Sequence, residues 1–238
     1  MIDLENRKTL VFDLEVVAHN FVTSFDVETK AYLLKYAKTD EDKQNVIDSL
    51  VFNPFTSRIV AIGMLDYRGD KGCVLLNTGK KMDIESPKEN INYICDDEES
   101  IIKTFWKTLK DKEYNLFVTF NGREFDCPFI MLRSLILKIK PTFNLMRGSD
   151  FTFKDYHIDL LKELTFHRHS PIGARRKFTL DFYCNQLGIK SPKSMGVSGD
   201  KVGVLFENKD YATLADYCIG DVFAEAELLK VWNEILNI

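Results

Sequence analysis

Thr9-Leu10-Val11-Phe12-Asp13-Leu14-Glu15-Val16-Val17 is the stretch on which the fold turns. Its first four residues are β-prone and nearly all apolar, the signature of a strand buried on both faces. The run then places Asp13 and Glu15 at its end, and strand alternation points both to the same side. Two carboxylates at the end of a core strand repel each other and lose hydration. A cation removes both penalties; a solvent-exposed strand end would avoid them. Asp-x-Glu is common, and the chain repeats it at Asp26-Val27-Glu28 and Asp83-Ile84-Glu85. What sets Asp13-Leu14-Glu15 apart is its place at the close of a buried strand.

Outward from this strand (residues 8–17), the pattern predicts a second over 58–67, a turn at Gly69-Asp70-Lys71-Gly72 and a third strand over 73–76, paired as a hairpin. Apolar residues at Ile101, Ile102, Phe105 and Leu109 have helical spacing over 98–109, with Asp96 or Asp97 as cap. Leu116-Phe117-Val118-Thr119-Phe120 reads as a fourth strand, followed by a helix over 126–138. A short fifth strand is expected at 156–161, and helices at 179–187 and 211–235. This order predicts an α/β fold, a mixed five-stranded sheet flanked by helices. The whole of 1–238 is expected to be a single domain, with a less regular surface insertion near 20–53 that holds Thr39-Asp40-Glu41-Asp42-Lys43.

Hydrophobic and charged fractions are ordinary for a soluble globular protein. No apolar run approaches the roughly 18 residues of a membrane span. Met1-Ile2-Asp3-Leu4-Glu5 lacks the basic patch and apolar core of a signal peptide. Five cysteines without a C-x-x-C pair argue for reduced thiols and against a structural zinc site, and hence for a cytoplasmic protein. A formal charge of −4 argues against coating of nucleic acid by bulk electrostatics, but not against a nuclease with a local grip on phosphate.

Two further segments carry chemistry. Asn121-Gly122-Arg123-Glu124-Phe125-Asp126 is a turn by its Asn-Gly alone. It also delivers Asp126 to the head of an apolar helix, either as a simple N-cap or beside the carboxyl ends of the strands, where α/β sheets build sites. Asn121 would order that loop or touch a substrate; Arg123 and Glu124 read as exposed. Tyr217 and Asp221 stand at i and i+4 and so share one helix face, which also carries Leu214, Val222, Ala226, Leu229 and Trp232. An Asp near such a face calls for a partner or a metal, or else is a surface Asp bonded to the Tyr.

Together these motifs resemble the DEDD superfamily of 3′–5′ exonucleases. Its first motif is matched by Asp13 and Glu15, its second by Asn121, Phe125 and Asp126, and its third, of the tyrosine (DEDDy) type, by Tyr217 and Asp221. Asn53-Pro54-Phe55-Thr56-Ser57-Arg58-Ile59-Val60-Ala61-Ile62-Gly63 and Gly196-Val197-Ser198-Gly199-Asp200-Lys201-Val202 look like stand-alone relatives of family-B DNA polymerase exonuclease domains. The resemblance implies a ribonuclease-H-like sheet and no covalently attached polymerase domain. It implies two divalent cations, Mg²⁺ or Mn²⁺, in keeping with oxygen-rich ligation. Asp13, Glu15 and Asp221 would hold one cation. Asp13 would bridge to the second, which Asp126 would support through water. Tyr217 would orient the attacking water. The implied activity is release of nucleotides from single-stranded 3′ ends, DNA favoured over RNA. A catalytically silent nucleic-acid-binding protein of the same fold, an RNA-directed exonuclease and an endonuclease are the alternatives.

For nucleic-acid contact the most basic stretch offers Arg168, Arg175, Arg176 and Lys177, flanked by Lys162, Lys190, Lys193 and Lys201. A solvated loop is the other reading. His167 and His169 show no partner carboxylate at metal-site spacing. Phe105, Phe117, Phe120 and Phe129 sit at core spacing. Phe21, Phe25 and Phe55 fall in irregular segments, where they could wedge against a 3′ terminus.

Overall fold

The structure, a computed structural model, describes residues 2–148, 152–190 and 201–238. Its strands are β1 (Thr9–Ala18), β2 (Ser57–Asp66), β3 (Lys71–Asn77), β4 (Ile91–Asp96), β5 (Leu116–Thr119) and β6 (His157–Asp159). They form one six-stranded sheet in the order β4-β3-β2-β1-β5-β6. β2 is antiparallel to both β1 and β3, whereas β3–β4, β1–β5 and β5–β6 are parallel. The sheet is therefore mixed, and the expected hairpin is β2–β3.

The strand beyond the five expected is β4. Only Ile91 and Cys95 of its six residues are buried, and Ile94 is exposed. An edge strand with one side in solvent lacks both the continuous apolar run and the clean alternation by which strands are read. The fifth expected strand shrinks to His157–Asp159, because Asp159 caps a helix by accepting from the Leu161 and Lys162 amides.

The helices are, in order, α1 (Phe21–Ser24), α2 (Val27–Leu33), α3 (Asp40–Ser49), α4 (Glu98–Asp111), α5 (Asp126–Ile136), α6 (Leu160–Leu164), α7 (Leu180–Gln186), α8 (Val202–Glu207) and α9 (Tyr211–Ile235). The segment 20–53 is thus helical rather than irregular. Asn20 and Asp26 cap α1 and α2, and Thr39 with Asp42 makes a reciprocal capping box on α3. None of these three helices buries a residue; Leu50, in the 3₁₀ turn that follows, is the first buried side chain. Helices held by caps and without an apolar stripe escape detection by periodicity. α8 was likewise not foreseen.

Two cores sandwich the sheet. Leu10, Phe12 and Leu14 of β1 face Ile101, Ile102, Phe105 and Trp106 of α4 and Phe129 and Ile130 of α5. Val11 and Val17 face the other way, toward Leu214, Cys218, Val222 and Leu229 of α9. Phe105, Phe117 and Phe129 are at most 2% exposed. Each contributes about 2 kcal/mol by burial, which accounts for these rings as packing. Of the two candidate caps for α4, Asp97 serves, accepting from the Ser100 amide at 2.8 Å. Among the described residues no helix is long and apolar enough to cross a membrane.

Candidate active site

The odd residues of β1 place Asp13 and Glu15 on the α9 face of the sheet. Across the ladder stand the two smallest neighbours available: Gly63 opposite Asp13 and Ala61 opposite Glu15. The register slips directly after Glu15, so that Val16 pairs with Ile59 and Val60 is an extra residue on β2. Such a bulge bends the strand where the carboxylates emerge.

Asp126 arrives from the far side of β1. It is the first residue of α5 rather than its cap; that position belongs to Phe125, whose side chain caps nothing. Asp126 Oδ1 instead accepts the Leu14 amide at 3.0 Å, between Asp13 and Glu15. The turn before it is tightly determined. Asn121 has φ +66°, and a Cβ on Gly122 would lie 2.2 Å from Thr119 Oγ1. The Asn121 and Arg123 amides both donate to the Asp159 carboxylate at 3.0 Å.

α9 supplies the third side. Tyr217, Cys218, Asp221, Val222 and Glu225 follow at helical spacing and turn toward the sheet, Tyr217 bonding to Asp221. Burial pushes the Asp13 and Glu15 carboxyls well above the ordinary carboxylate range. For Asp13 the neighbouring charges of Asp126, Glu15, Glu225 and Asp221 add to it, and for Glu15 those of Asp221 and Asp126. Burial also lifts Asp126 to about 7, against the pull of the Leu14 amide. The same burial, with Asp221, Glu15 and Asp13 nearby, raises the Tyr217 phenol. The structure therefore brings all five expected positions into one electrostatically coupled cluster.

The donor set suits a hard divalent cation: it is rich in carboxylate oxygens whose mutual repulsion only positive charge relieves. The ligating atoms of Asp13, Glu15 and Cys218 lie within 4.8 Å of one another. Cys218 is an unsuitable ligand for such an ion. Burial first, and then Glu15 and Asp13, raise its thiol and keep it protonated. The tight group is best understood as two carboxylates with a neutral thiol behind them.

Three residues of the site were not anticipated. Asp159 ties the Asn121 loop to α6 by accepting hydrogen bonds from four backbone amides. Glu225 is buried beside Asp126 and Asp221. Arg123, expected at the surface, is 8% exposed; its guanidinium donates to the Leu145 and Arg147 carbonyls and covers the Phe153 ring at 4.8 Å. Glu124 is exposed, as expected, and pairs with Lys162. No periodicity signals a buried arginine, since its partners are carbonyls from a distant loop.

The basic candidates divide. Lys177 Nζ donates to Asn121 Oδ1 at 3.1 Å and so stands at the rim of the nest. Arg175 and Arg176 are exposed on the same loop, Arg176 lying over the Phe178 ring at 4.9 Å. Lys201 is exposed just ahead of α8. Lys193 and residues 196–200, part of one stretch of resemblance, lie outside the described residues. His167 does have a carboxylate partner, Glu163 at 3.1 Å, one helical turn earlier. Phe125 is half-buried against Phe129 and Phe52. Phe21 and Phe25 pack on each other, while Phe55 is exposed. The stretch from Asn53 is pinned by a buried clamp: Arg133 donates to the Pro54 carbonyl and pairs bidentately with Glu98, which also takes the Ile59 amide.

Comparison with known proteins identifies the family and the fold. A family model described as a predicted 3′–5′ exonuclease related to the exonuclease domain of PolB matches residues 52–225. That span holds Asp126, Tyr217 and Asp221 and begins after β1. DNA polymerase 1 of Sulfolobus acidocaldarius is 24% identical over 82% of this chain, and DNA polymerase 1 of Sulfurisphaera ohwakuensis 25% identical over 82%. The chain spans only 23% of the length of either polymerase. The family B DNA polymerase structure from Pyrobaculum calidifontis superposes on 95% of the chain with a TM-score of 0.59 at 15% identity, over 24% of its own length. This likeness is one of fold.

Proposed function

The chain belongs to the family of predicted 3′–5′ exonucleases related to the exonuclease domain of PolB, and on that premise we propose that it removes nucleotides from single-stranded 3′ ends, DNA in preference to RNA, by metal-dependent phosphodiester hydrolysis. The observation that carries the reading is the convergence of Asp13, Glu15, Asp126, Tyr217 and Asp221 from three separate elements around the end of β1. The relatives' printed names, DNA polymerases, favour DNA as substrate.

Asp13, Glu15 and Asp221 would hold one divalent cation, and Asp13 and Asp126 a second, Mg²⁺ or Mn²⁺ by the hardness of the oxygen donors. Bound there, such cations lower the pKa of the attacking water and neutralise charge on the phosphate. Asp126 has its Oδ1 fixed by the Leu14 amide, and its other oxygen would serve the cation. Tyr217 orients the water. Its raised phenol is protonated across the whole working range, so it acts as a positioned hydroxyl rather than a base. Lys177 at the rim, with Arg175, Arg176 and Lys201 outside it, would track the strand's phosphates. Asn121 and Phe125 would contact the terminal nucleotide. In this reading the chain acts as one exonuclease unit, with the helical 20–53 segment on its surface.

The test is digestion of end-labelled single-stranded DNA and RNA with Mg²⁺, Mn²⁺ or EDTA, by wild type and by the Asp13→Ala and Asp221→Ala variants. Mononucleotide release from 3′ ends, lost in EDTA and in both variants, is expected. Internal fragments would indicate an endonuclease. Binding without digestion would indicate a silent relative, and full activity in both variants would sink the assignment.

A further inference from the structure

Glu225 lies one turn beyond Asp221 and two beyond Tyr217 on the same face of α9. It is 1% exposed. Its Oε1 accepts the Phe120 amide at 3.0 Å, at the end of β5 and next to the Asn121 turn. Its Oε2 is buried and has no hydrogen-bond partner among the described residues. The charged groups that act on it from the surrounding elements are Asp126 of α5, Asp221 of α9 and Asp159 of β6, and it acts in turn on Asp13 of β1. All are acids.

A structural glutamate in this same protein looks different. Glu98 is also largely buried, but both its oxygens are engaged by Arg133, and one also takes the Ile59 amide. A buried carboxylate with an oxygen unpaired among the described residues, and with Asp126, Asp221 and Asp159 acting on it, is a costly arrangement unless a cation enters. The hydrogen bond from the Phe120 amide fixes the carboxyl group and leaves Oε2 without a partner among the described residues.

We propose that Glu225 is a further carboxylate of the metal centre, holding the cation on the Asp126 side of the nest through Oε2. This rests on the function proposed above and adds a donor that the sequence motifs do not include. Glutamine at 225 keeps the shape and a carbonyl for the Phe120 amide but withdraws the negative charge. A purely structural side chain would tolerate it.

The test is Mn²⁺ titration of the substrate-free full chain, by calorimetry and by electron paramagnetic resonance of the free ion. Wild type, Glu225→Gln and Asp13→Ala are compared, with circular dichroism as the check on folding. Wild type should bind two ions. Glu225→Gln should keep the tighter site and lose about tenfold in the weaker one, with a smaller Mn²⁺-induced rise in Tm. Asp13→Ala should weaken both sites. Two ions bound by folded Glu225→Gln with wild-type affinities would overturn the role of Glu225 and leave the proposed function standing. A wild-type protein that binds no Mn²⁺ would overturn both.

Discussion

Gly63 and Val222 meet so closely that no side chain fits between them: a Cβ on Gly63 would lie 2.7 Å from Val222 Cγ2 and 3.0 Å from Cys218 Sγ. Gly63 pairs with Asp13 across the β1–β2 ladder. This contact therefore sets the depth at which α9 sits on the sheet, and with it the distance from Tyr217 and Asp221 to the β1 carboxylates.

Gly63→Ala should push α9 off the sheet. Overpacking of this kind costs about 2 kcal/mol. Denaturant unfolding should show that loss, and nucleotide release should fall by more than tenfold in protein that is still folded. Activity at the wild-type level would show that the spacing of α9 is not critical.

The metal-free nest should make stability depend on pH in an unusual direction. Burial pushes Asp126 up to about 7 in the folded protein, against 3.8 for an ordinary Asp. A raised carboxyl favours the folded state below the unfolded value, and that contribution is lost as pH rises through about 7. Asp126→Asn keeps an acceptor for the Leu14 amide and removes the titration. In EDTA the variant should match wild type at pH 4 and exceed it in Tm at pH 8. His157, held down to about 3 by burial, has the opposite slope but is common to both proteins and cancels. Added Mn²⁺ should close the gap by stabilising wild type. A gap that does not grow with pH would show that Asp126 is not raised.

Tyr217→Phe should lower kcat by tenfold to a hundredfold while leaving Mn²⁺ affinity within about twofold, because an orienting hydroxyl acts on the water and not on the ions. With the phenol raised above its ordinary value by burial and by Asp221, the pH–rate profile below pH 9 should keep its shape in the variant. A lost titration limb would instead make Tyr217 a base.

Asp159→Ala removes an acceptor that takes the amides of Asn121, Arg123, Leu161 and Lys162. Leaving those donors unpaired should cost about 3 kcal/mol. Because two of them hold the loop ahead of Asp126, activity should fall as well. Asp159→Asn, which keeps one of the two acceptor oxygens, should recover part of both. Equal loss in the two variants would mean that charge, and not hydrogen bonding, matters there.

Legibility followed physical range. Runs such as Leu10-Val11-Phe12 and the spacing of Ile101, Phe105 and Leu109 record burial directly, so these elements stand where they were expected. β4 is missing from that reading because an edge strand buries little, and α1 to α3 because their caps, not an apolar stripe, define them. Arg123, Asp159 and Glu225 were invisible for a different reason. Each is polar, and each has a partner remote in the chain: the Leu145 carbonyl, the Asn121 amide and the Phe120 amide.

The sequence by itself determined which side chains share a face: Asp13 with Glu15 by strand alternation, Tyr217 with Asp221 by the helical turn. Periodicity is a local property of the backbone, and it carries that far. Which face meets which was decided only by the tertiary structure. The Leu14 amide takes Asp126, Gly63 admits Val222, and Glu225 reaches the same nest, because packing between distant segments, not spacing along the chain, brings charges together against their repulsion.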